Sequence, residues 1–388
     1  MKILIIRPFP DVLDVNRYNV QEIGLAKALT MRGHVCDIVL CNGRNPDRTQ
    51  DYVFTEGGRE HAFRIYWCRC ISAFKNGFMP SAEKLLPQYD VAQVHEYDQL
   101  MSWSLYTRQI IPTVIYHGPY YNPYAKGYIL KCRVFDALFL RRRSCKAVRV
   151  LAKSEMAAEF LRKKGFCRVT TAGVGLNTAS LDKGAEGTAL LKREKKGTAA
   201  ELLYVGKIED RRNVYFLIGV FRELCSRGEQ VHLTIIGSGE ADYQRGFLCE
   251  IRKEQEEDRI TYLPKASQSE LAEYYRAADL FVFPTKYDIF GMVLLECMYC
   301  GLPAVSTRNG GSATLIEDGV NGRIIPADDV CEWADAIEKM LSDRQELKRM
   351  GDAARKTVEE HYTWDRIAGT FEQEYELARK EFTGTKER

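Results

Sequence analysis

The sequence predicts an α/β protein made of two doubly wound parallel sheets facing across a cleft. Three observations predict it. Short apolar runs recur through both halves, each followed by a turn and an amphipathic stretch, the alternation that gives parallel strands and right-handed crossovers. At 388 residues the chain is too long for one ordinary core. The stretch Thr178–Ala200 is poor in large apolar residues and rich in Gly, Lys, Thr and Ala, and it reads as the connection between two domains.

Lys2–Ile6 is the first expected strand. Its apolar opening resembles a signal peptide only superficially, because Arg7-Pro8 breaks the run and no small-residue cleavage site follows. Asn19–Arg32 is an amphipathic helix with Val20, Ile23, Leu25, Ala26 and Leu29 largely on one side, ended by Gly33. His34–Leu40 is the next strand. The loop Arg7–Tyr18 lies at the carboxyl end of strand one, where open α/β sheets bind ligands, but it has no glycine and is no dinucleotide fingerprint. Further strands are expected at Phe63–Cys68, Val91–His95 and Thr113–His117, which puts His95 and His117 on one sheet edge. An isolated histidine there is either structural or faces a ligand. His95-Glu96-Tyr97-Asp98 holds a Glu-x-Asp pair of a kind that can hold a divalent metal, a weak signal alone. A helix over Ser154–Lys164 closes at Gly165. The second series runs strand Glu201–Val205, helix Val214–Ser226, strand Val231–Ile236, helix Asp242–Glu256, strand Ile260–Leu263, helix Ser269–Ala277 and strand Leu280–Phe283.

Composition narrows the function. Net charge is +3 and 45% of residues are apolar, which argues against a nucleic-acid coat protein. No apolar stretch approaches the roughly 20 residues that span a bilayer. The 12 cysteines are scattered, and Cys297-Met298-Tyr299-Cys300 has no second pair at zinc spacing, so a reduced cytoplasmic compartment without structural zinc is expected. Residues 116–168 carry 13 Lys/Arg against 3 Asp/Glu, interleaved with Tyr116, Tyr120, Tyr121, Tyr124, Tyr128, Phe135 and Phe139. That pattern suits an anionic membrane surface, single-stranded nucleic acid, or simply a solvated basic face.

The most informative stretch is Tyr287–Pro303. It follows the apolar run Leu280–Phe283, turns at Phe290-Gly291 and continues as a helix ending near Gly301. A strand, a glycine turn and a helix N-terminus make a general anion site, with Asp288 and Glu296 flanking it. An ordinary strand–loop–helix unit with a solvated Asp fits the same pattern. Gly206-Lys207 and Arg212 after one strand, and Gly237-Ser238-Gly239 after another, come to the same edge in a parallel sheet. A Lys and an Arg there suit a diphosphate.

With these motifs the second half resembles the family-four retaining glycosyltransferases of the GT-B fold, built from two Rossmann-like domains. The resemblance rests on Tyr204–Lys207 with Arg212-Asn213, Leu233–Gly239, Ala278–Pro284, Asp288–Pro303, Gly310-Gly311 and Glu317–Gly322. It is looser through Gly24–Leu29, Arg32-Gly33-His34 and Val174-Gly175-Leu176. It implies domains at 1–178 and 179–365, with a helix at about 366–388 packing back on the first. The family pattern has two glutamates with seven residues between them. Glu296 matches the second, which implies a grip on ribose hydroxyls. Asp288 stands at the first, one methylene shorter, beside the donor sugar. The family's Arg-then-Lys on the diphosphate is exchanged here for Lys207 then Arg212. Gly206, Gly237, Phe290, Gly291, Met292 and Val293 fall at donor-binding positions. His117 matches the histidine near the donor sugar. The usual glycine pair of the first loop is replaced by Asn16, Arg17, Tyr18 and Asn19 on the acceptor side, and the Glu usual after Gly-Gly is Thr314.

The resemblance implies a metal-independent, hexosyltransferase-type enzyme with no cofactor beyond its nucleotide-diphosphate sugar. Its acceptor is expected to be a glycan or lipid-linked hydroxyl, in cell-surface polysaccharide or glycolipid synthesis. A cytoplasmic location, peripheral on the plasma membrane, goes with it. Lys207, Arg212 and the N–H groups near Gly291–Val293 would stabilise the leaving diphosphate, with Asp288 and His117 orienting the sugar. A nucleotide-sugar epimerase on the same fold and a catalytically weak sugar-nucleotide-binding subunit are the alternatives.

Overall fold

A computed structural model describes residues 1–73, 75–183, 199–325 and 329–386. The chain forms two compact units, Met1–Gly175 with Trp364–Arg388, and Leu176–Thr363. Segment 184–198, which holds most of the expected connection Thr178–Ala200, lies outside the described residues; Ala179–Lys183 before it is helical.

The first unit contains strands β1 (Lys2–Ile6), β2 (Val35–Cys41), β3 (Arg48–Glu56), β4 (Arg59–Cys68), β5 (Ile71–Ala73), β6 (Asn76–Phe78), β7 (Val91–His95), β8 (Thr113–His117), β9 (Arg149–Ala152) and β10 (Arg168–Thr171). Eight of them make one sheet in the order β10-β9-β8-β7-β1-β2-β4-β3, while β5 and β6 pair separately. β1 and β7 sit at the centre, covered on both faces, which is why they read as nearly unbroken apolar runs. β3 pairs antiparallel with β4 at the edge. The expected strand Phe63–Cys68 is therefore only the inner part of a hairpin arm. Gly57 and Gly58, both at positive φ, form its two-residue turn between Glu56 and Arg59, as such turns require.

The last helix, Trp364–Lys386, belongs to this first unit and packs on the helix Gln21–Met31 and on β7, β8 and β9. Phe371 meets Tyr116 edge-on with ring centroids 5.0 Å apart. The indole of Trp364 lies against Gly24 and Gly175, where a Cβ would come within 2.2 and 2.3 Å of it, so both positions are restricted to glycine by space alone.

The second unit holds β11 (Ala200–Val205), β12 (Val231–Ile236), β13 (Ile260–Leu263), β14 (Leu280–Phe283), β15 (Ala304–Thr307) and β16 (Gly322–Ile325), all parallel, in the order β13-β12-β11-β14-β15-β16. Strand order reverses between β11 and β14. That is the topological switch point, outside whose carboxyl ends sheets of this kind bind ligands. Helices Val214–Ser226 and Val330–Ser342 bury Leu217, Phe221, Trp333 and Ile337 against β11, β12 and β14. Each such side chain contributes about 2 kcal/mol of burial. The expected helix Asp242–Glu256 is two helices, Ala241–Glu250 and Arg252–Glu256. Ile251, at φ −91° and ψ 3°, leaves helical geometry between them. Among the described residues no helix is long and apolar enough to cross a membrane.

Candidate active site

β11 and β14 pair directly, Leu202 beside Leu280 and Leu203 beside Phe281, so the segments leaving their carboxyl ends emerge side by side. After β11, Gly206-Lys207-Ile208 runs against the loop that follows β12. Gly206 N donates to Ile236 O at 3.0 Å, and Ile208 N donates to Ser238 O at 3.0 Å. A Cβ on Gly237 would lie 1.8 Å from Gly206 O, and one on Gly239 would lie 1.9 Å from Ile208 O. Side chains at either position would force the two loops apart. Tyr204 Oη donates to Lys207 O at 2.9 Å and fixes the turn, leaving the Lys207 side chain exposed.

Arg212 ends the short turn Asp210–Arg212 and is largely buried. Its guanidinium pairs with the Asp288 carboxylate and lies 5.8 Å from the centre of the Phe283 ring. Burial opposes the Arg212 charge, but Asp288, Tyr204 and Glu209 together outweigh it and raise the pKa above the usual arginine value. Arg211 reinforces the join: its Nη1 donates to Tyr287 O at 2.9 Å, and Lys286 N donates to Arg211 O at 3.0 Å.

Gly291, at φ 77°, is the N-cap of the helix Met292–Tyr299 and takes the left-handed conformation that glycine adopts without strain. The positive end of that helix's dipole therefore falls at this edge, beside Phe290, Met292 and Val293. Glu296, one turn further, is only 2% exposed, and its Oε2 accepts a hydrogen bond from Tyr275 Oη at 3.0 Å. Thus Gly206, Lys207, Arg212, Gly237, Asp288, Phe290, Gly291, Met292, Val293 and Glu296 all lie along the carboxyl edge of the second sheet or in the helix that starts there.

Sequence reasoning missed the support behind this edge. Asn309 is fully buried. Its Nδ2 donates to Thr285 O at 2.9 Å and to Thr307 O at 3.1 Å, while its Oδ1 accepts from Gly311 N at 2.9 Å and Ser312 N at 3.2 Å. The loop so held lets Gly310 N donate to Asp288 O at 3.1 Å. A Cβ on Gly311 would come within 2.4 Å of Phe290 O. Asn before Gly-Gly after an apolar run was the available signal, since Asn side chains bond backbone two residues on. Thr314 Oγ1 donates to Gly310 O at 2.7 Å and braces the same loop.

In the first unit, His117 ends β8 fully buried, its Nδ1 paired with the Glu96 carboxylate. Its Nε2 has no hydrogen-bond partner among the described residues. The ring stacks on Phe160 and meets Tyr97 edge-on. Glu96 sits at φ 59°, a conformation that costs a non-glycine residue about 1 kcal/mol or more. Burial opposes its charge, yet His117 holds its carboxyl below the usual range. Asp98 instead takes Lys131 Nζ at 2.8 Å. The two acids of the Glu-x-Asp pair thus diverge, and among the described residues no His/Cys/Asp/Glu group could hold a metal ion. Asn16 and Tyr18 are exposed in the loop after β1, and Asn19 follows at φ 50°. All twelve cysteines are free thiols; Cys297 donates to Leu294 O at 3.1 Å inside its helix, a packing role.

Residues 23–179 match the family described as glycosyltransferase family 4, and residues 189–357 match glycosyl transferases group 1. The chain belongs to the group 1, family 4 glycosyltransferases. Over 188 residues it is 31% identical to a D-inositol 3-phosphate glycosyltransferase of Nocardia farcinica, a match covering 47% of this chain and 42% of that protein. The chain spans about half the length of the curated relatives it matches. Its fold is similar to that of sucrose-phosphate synthase from Thermosynechococcus elongatus, with TM-score 0.69 at 19% identity over 97% of this chain and 99% of the other. It is equally similar to Anabaena HepE, solved in complex with UDP, with TM-score 0.70 at 17% identity over 96% and 99%. These likenesses place this family 4 member in the GT-B fold.

Proposed function

We propose that the chain transfers a hexosyl group, with retention of configuration, from a nucleoside-diphosphate sugar to a hydroxyl of a glycan or lipid-linked acceptor. The observation that carries this reading is the convergence at the β11–β14 switch point of Lys207, the Arg212–Asp288 pair, the N-terminus of helix Met292–Tyr299 and buried Glu296. HepE, of similar fold, is described in complex with UDP-glucose, which supports a nucleotide-sugar donor.

In this reading the diphosphate lies against Lys207, Arg212 and the helix N-terminus, and Glu296 takes the ribose hydroxyls. When the bond from the anomeric carbon to phosphate oxygen breaks, negative charge grows on the leaving diphosphate. Each preorganised donor there is worth about 3 kcal/mol of barrier. The same groups meet that charge without a metal. Asp288 faces the positive charge developing on the sugar, and the family resemblance assigns His117 to orienting that sugar. The acceptor oxygen bonds to the anomeric carbon, and its proton passes to the departing phosphate oxygen. Asn16, Tyr18 and Asn19 lie on the acceptor side. The work belongs to cell-surface polysaccharide or glycolipid synthesis on the cytoplasmic side of a membrane, reached through residues 116–168.

A screen of nucleoside-diphosphate sugars, reading nucleotide release and the anomeric configuration of the product, tests this. One donor should be consumed, with an axial or equatorial linkage matching that donor. Conversion of labelled donor into its epimer without acceptor would instead make the chain an epimerase. Failure to release nucleotide from any donor with any acceptor would leave a binding subunit.

A further inference from the structure

The geometry points to the helix Tyr128–Phe139 as an element that seats on an anionic lipid bilayer. Leu130, Val134 and Leu138 are 66%, 49% and 69% exposed. Spaced four apart, they form one aliphatic stripe along the helix. The opposite face buries Cys132 and Phe135 and holds the helix to the unit. Large aliphatic side chains rarely stand in line on a surface facing only water.

The charges around the stripe decide its occupant. The acid of this helix, Asp136, is used inward, accepting from Tyr97 Oη at 3.0 Å and pairing with Lys164. Lys131 is also taken, by Asp98. Arg133 remains exposed on the helix, and Arg141, Arg142 and Arg143 are exposed directly after it. The outer surface therefore offers aliphatic groups bordered by positive charge. A second copy of the chain would set these arginines against their own equivalents across a two-fold axis, a like-charge arrangement. A single-stranded nucleic acid is gripped by stacking on aromatic rings, whereas this stripe is aliphatic. Acyl chains with anionic headgroups match both parts. One short apolar stripe and one basic cluster are the two weak signals that together give reversible peripheral binding.

The inference extends the membrane-surface part of the proposed function, and it is read without donor, so its failure leaves sugar transfer standing. The test is sedimentation with vesicles of phosphatidylcholine containing phosphatidylglycerol, against vesicles of phosphatidylcholine alone. Two double variants, Leu130→Ser with Leu138→Ser and Arg141→Glu with Arg142→Glu, are compared with the parent chain after circular dichroism shows each folded. The parent should sediment with the anionic vesicles and not the neutral ones, and each variant should bind at least ten-fold more weakly. Nucleotide release with a soluble acceptor should be unchanged in both. Equal binding to neutral vesicles, no binding to anionic ones, or variants that bind like the parent would overturn the assignment. So would a dimer in sedimentation velocity that Leu130→Ser with Leu138→Ser abolishes, since the stripe would then belong to a second copy.

Discussion

Arg212 and Asp288 form a largely buried ion pair that joins the segment after β11 to the segment after β14. The family pattern that the chain resembles has a lysine and a glutamate at these two places. Here the acid is one methylene shorter and the cation is the longer, forked arginine, and the two still meet. Asp288 is therefore oriented by Arg212, and Gly310 N holds its backbone from the other side.

The two residues should behave as one unit. Asp288→Ala strands a buried guanidinium, and the expected loss is about 3 kcal/mol of stability. Arg212→Ala should cost a similar amount, and the double variant clearly less than the sum. Urea denaturation in a double-mutant cycle measures this. A coupling energy near zero would show the pair to be incidental.

Asn309 should tune donor use without touching donor. Asn309→Ala loses the donations to Thr285 O and Thr307 O and the acceptances from Gly311 and Ser312, freeing the loop that positions Asp288. The expected result is a fall in kcat of about ten-fold or more, following the sensitivity of catalysis to small misplacements. Asn309→Asp keeps the acceptor for Gly311 N and Ser312 N and should recover part of the loss. Steady-state kinetics of nucleotide release separate the two variants.

Gly311→Ala probes the same contact sterically. Its Cβ would sit 2.4 Å from Phe290 O, so the turn at Gly291 must move. Nucleoside-diphosphate affinity should drop at least ten-fold, whereas Gly319→Ala, at φ 79° with nothing within 4 Å, should lower stability without that loss. Calorimetric titration of both variants checks it.

Much of the fold was legible. Buried parallel strands such as Val231–Ile236 and Leu280–Phe283 announce themselves as short apolar runs, and their bounds agree with the structure. β3 was not legible: it is a half-exposed edge strand, Arg48–Glu56, whose polar residues hide the alternation. The residues at the candidate site could be named because glycines and charges after strands reach one edge in any parallel sheet. Their partners could not. That Arg212 turns to Asp288, and that Asn309 braces the turn, depends on loop paths spanning many residues, and no local pattern encodes those paths. The different directions of Glu96 and Asp98 were hidden for the same reason: one Glu-x-Asp pair looks the same in sequence whichever partners its acids take, here His117 for Glu96 and Lys131 for Asp98.

His95 supplies a pH dependence in the first unit. Burial lowers its pKa from 6.5 to about 4, opposed by Glu22 and reinforced by Lys153, while Gln93 Nε2 lies 3.1 Å from its Nε2. The unfolded chain binds the proton more readily, so this contribution is full above pH 6.5 and is lost as pH falls towards 4. The loss amounts to about 3 kcal/mol in all. Denaturation of the chain at several pH values should show the decline, and His95→Gln should flatten it between those limits. An equal slope in His95→Gln would assign the dependence to other groups.

Binding of a nucleoside diphosphate at the β11–β14 edge can be read by isothermal titration calorimetry of nucleoside diphosphates into the parent chain, Lys207→Ala and Glu296→Ala. One nucleoside diphosphate should bind the parent chain, with Kd raised about ten-fold or more by each substitution, as lost charge-assisted bonds require. A Kd that neither substitution changes by more than about two-fold, well below one such bond, would contradict it.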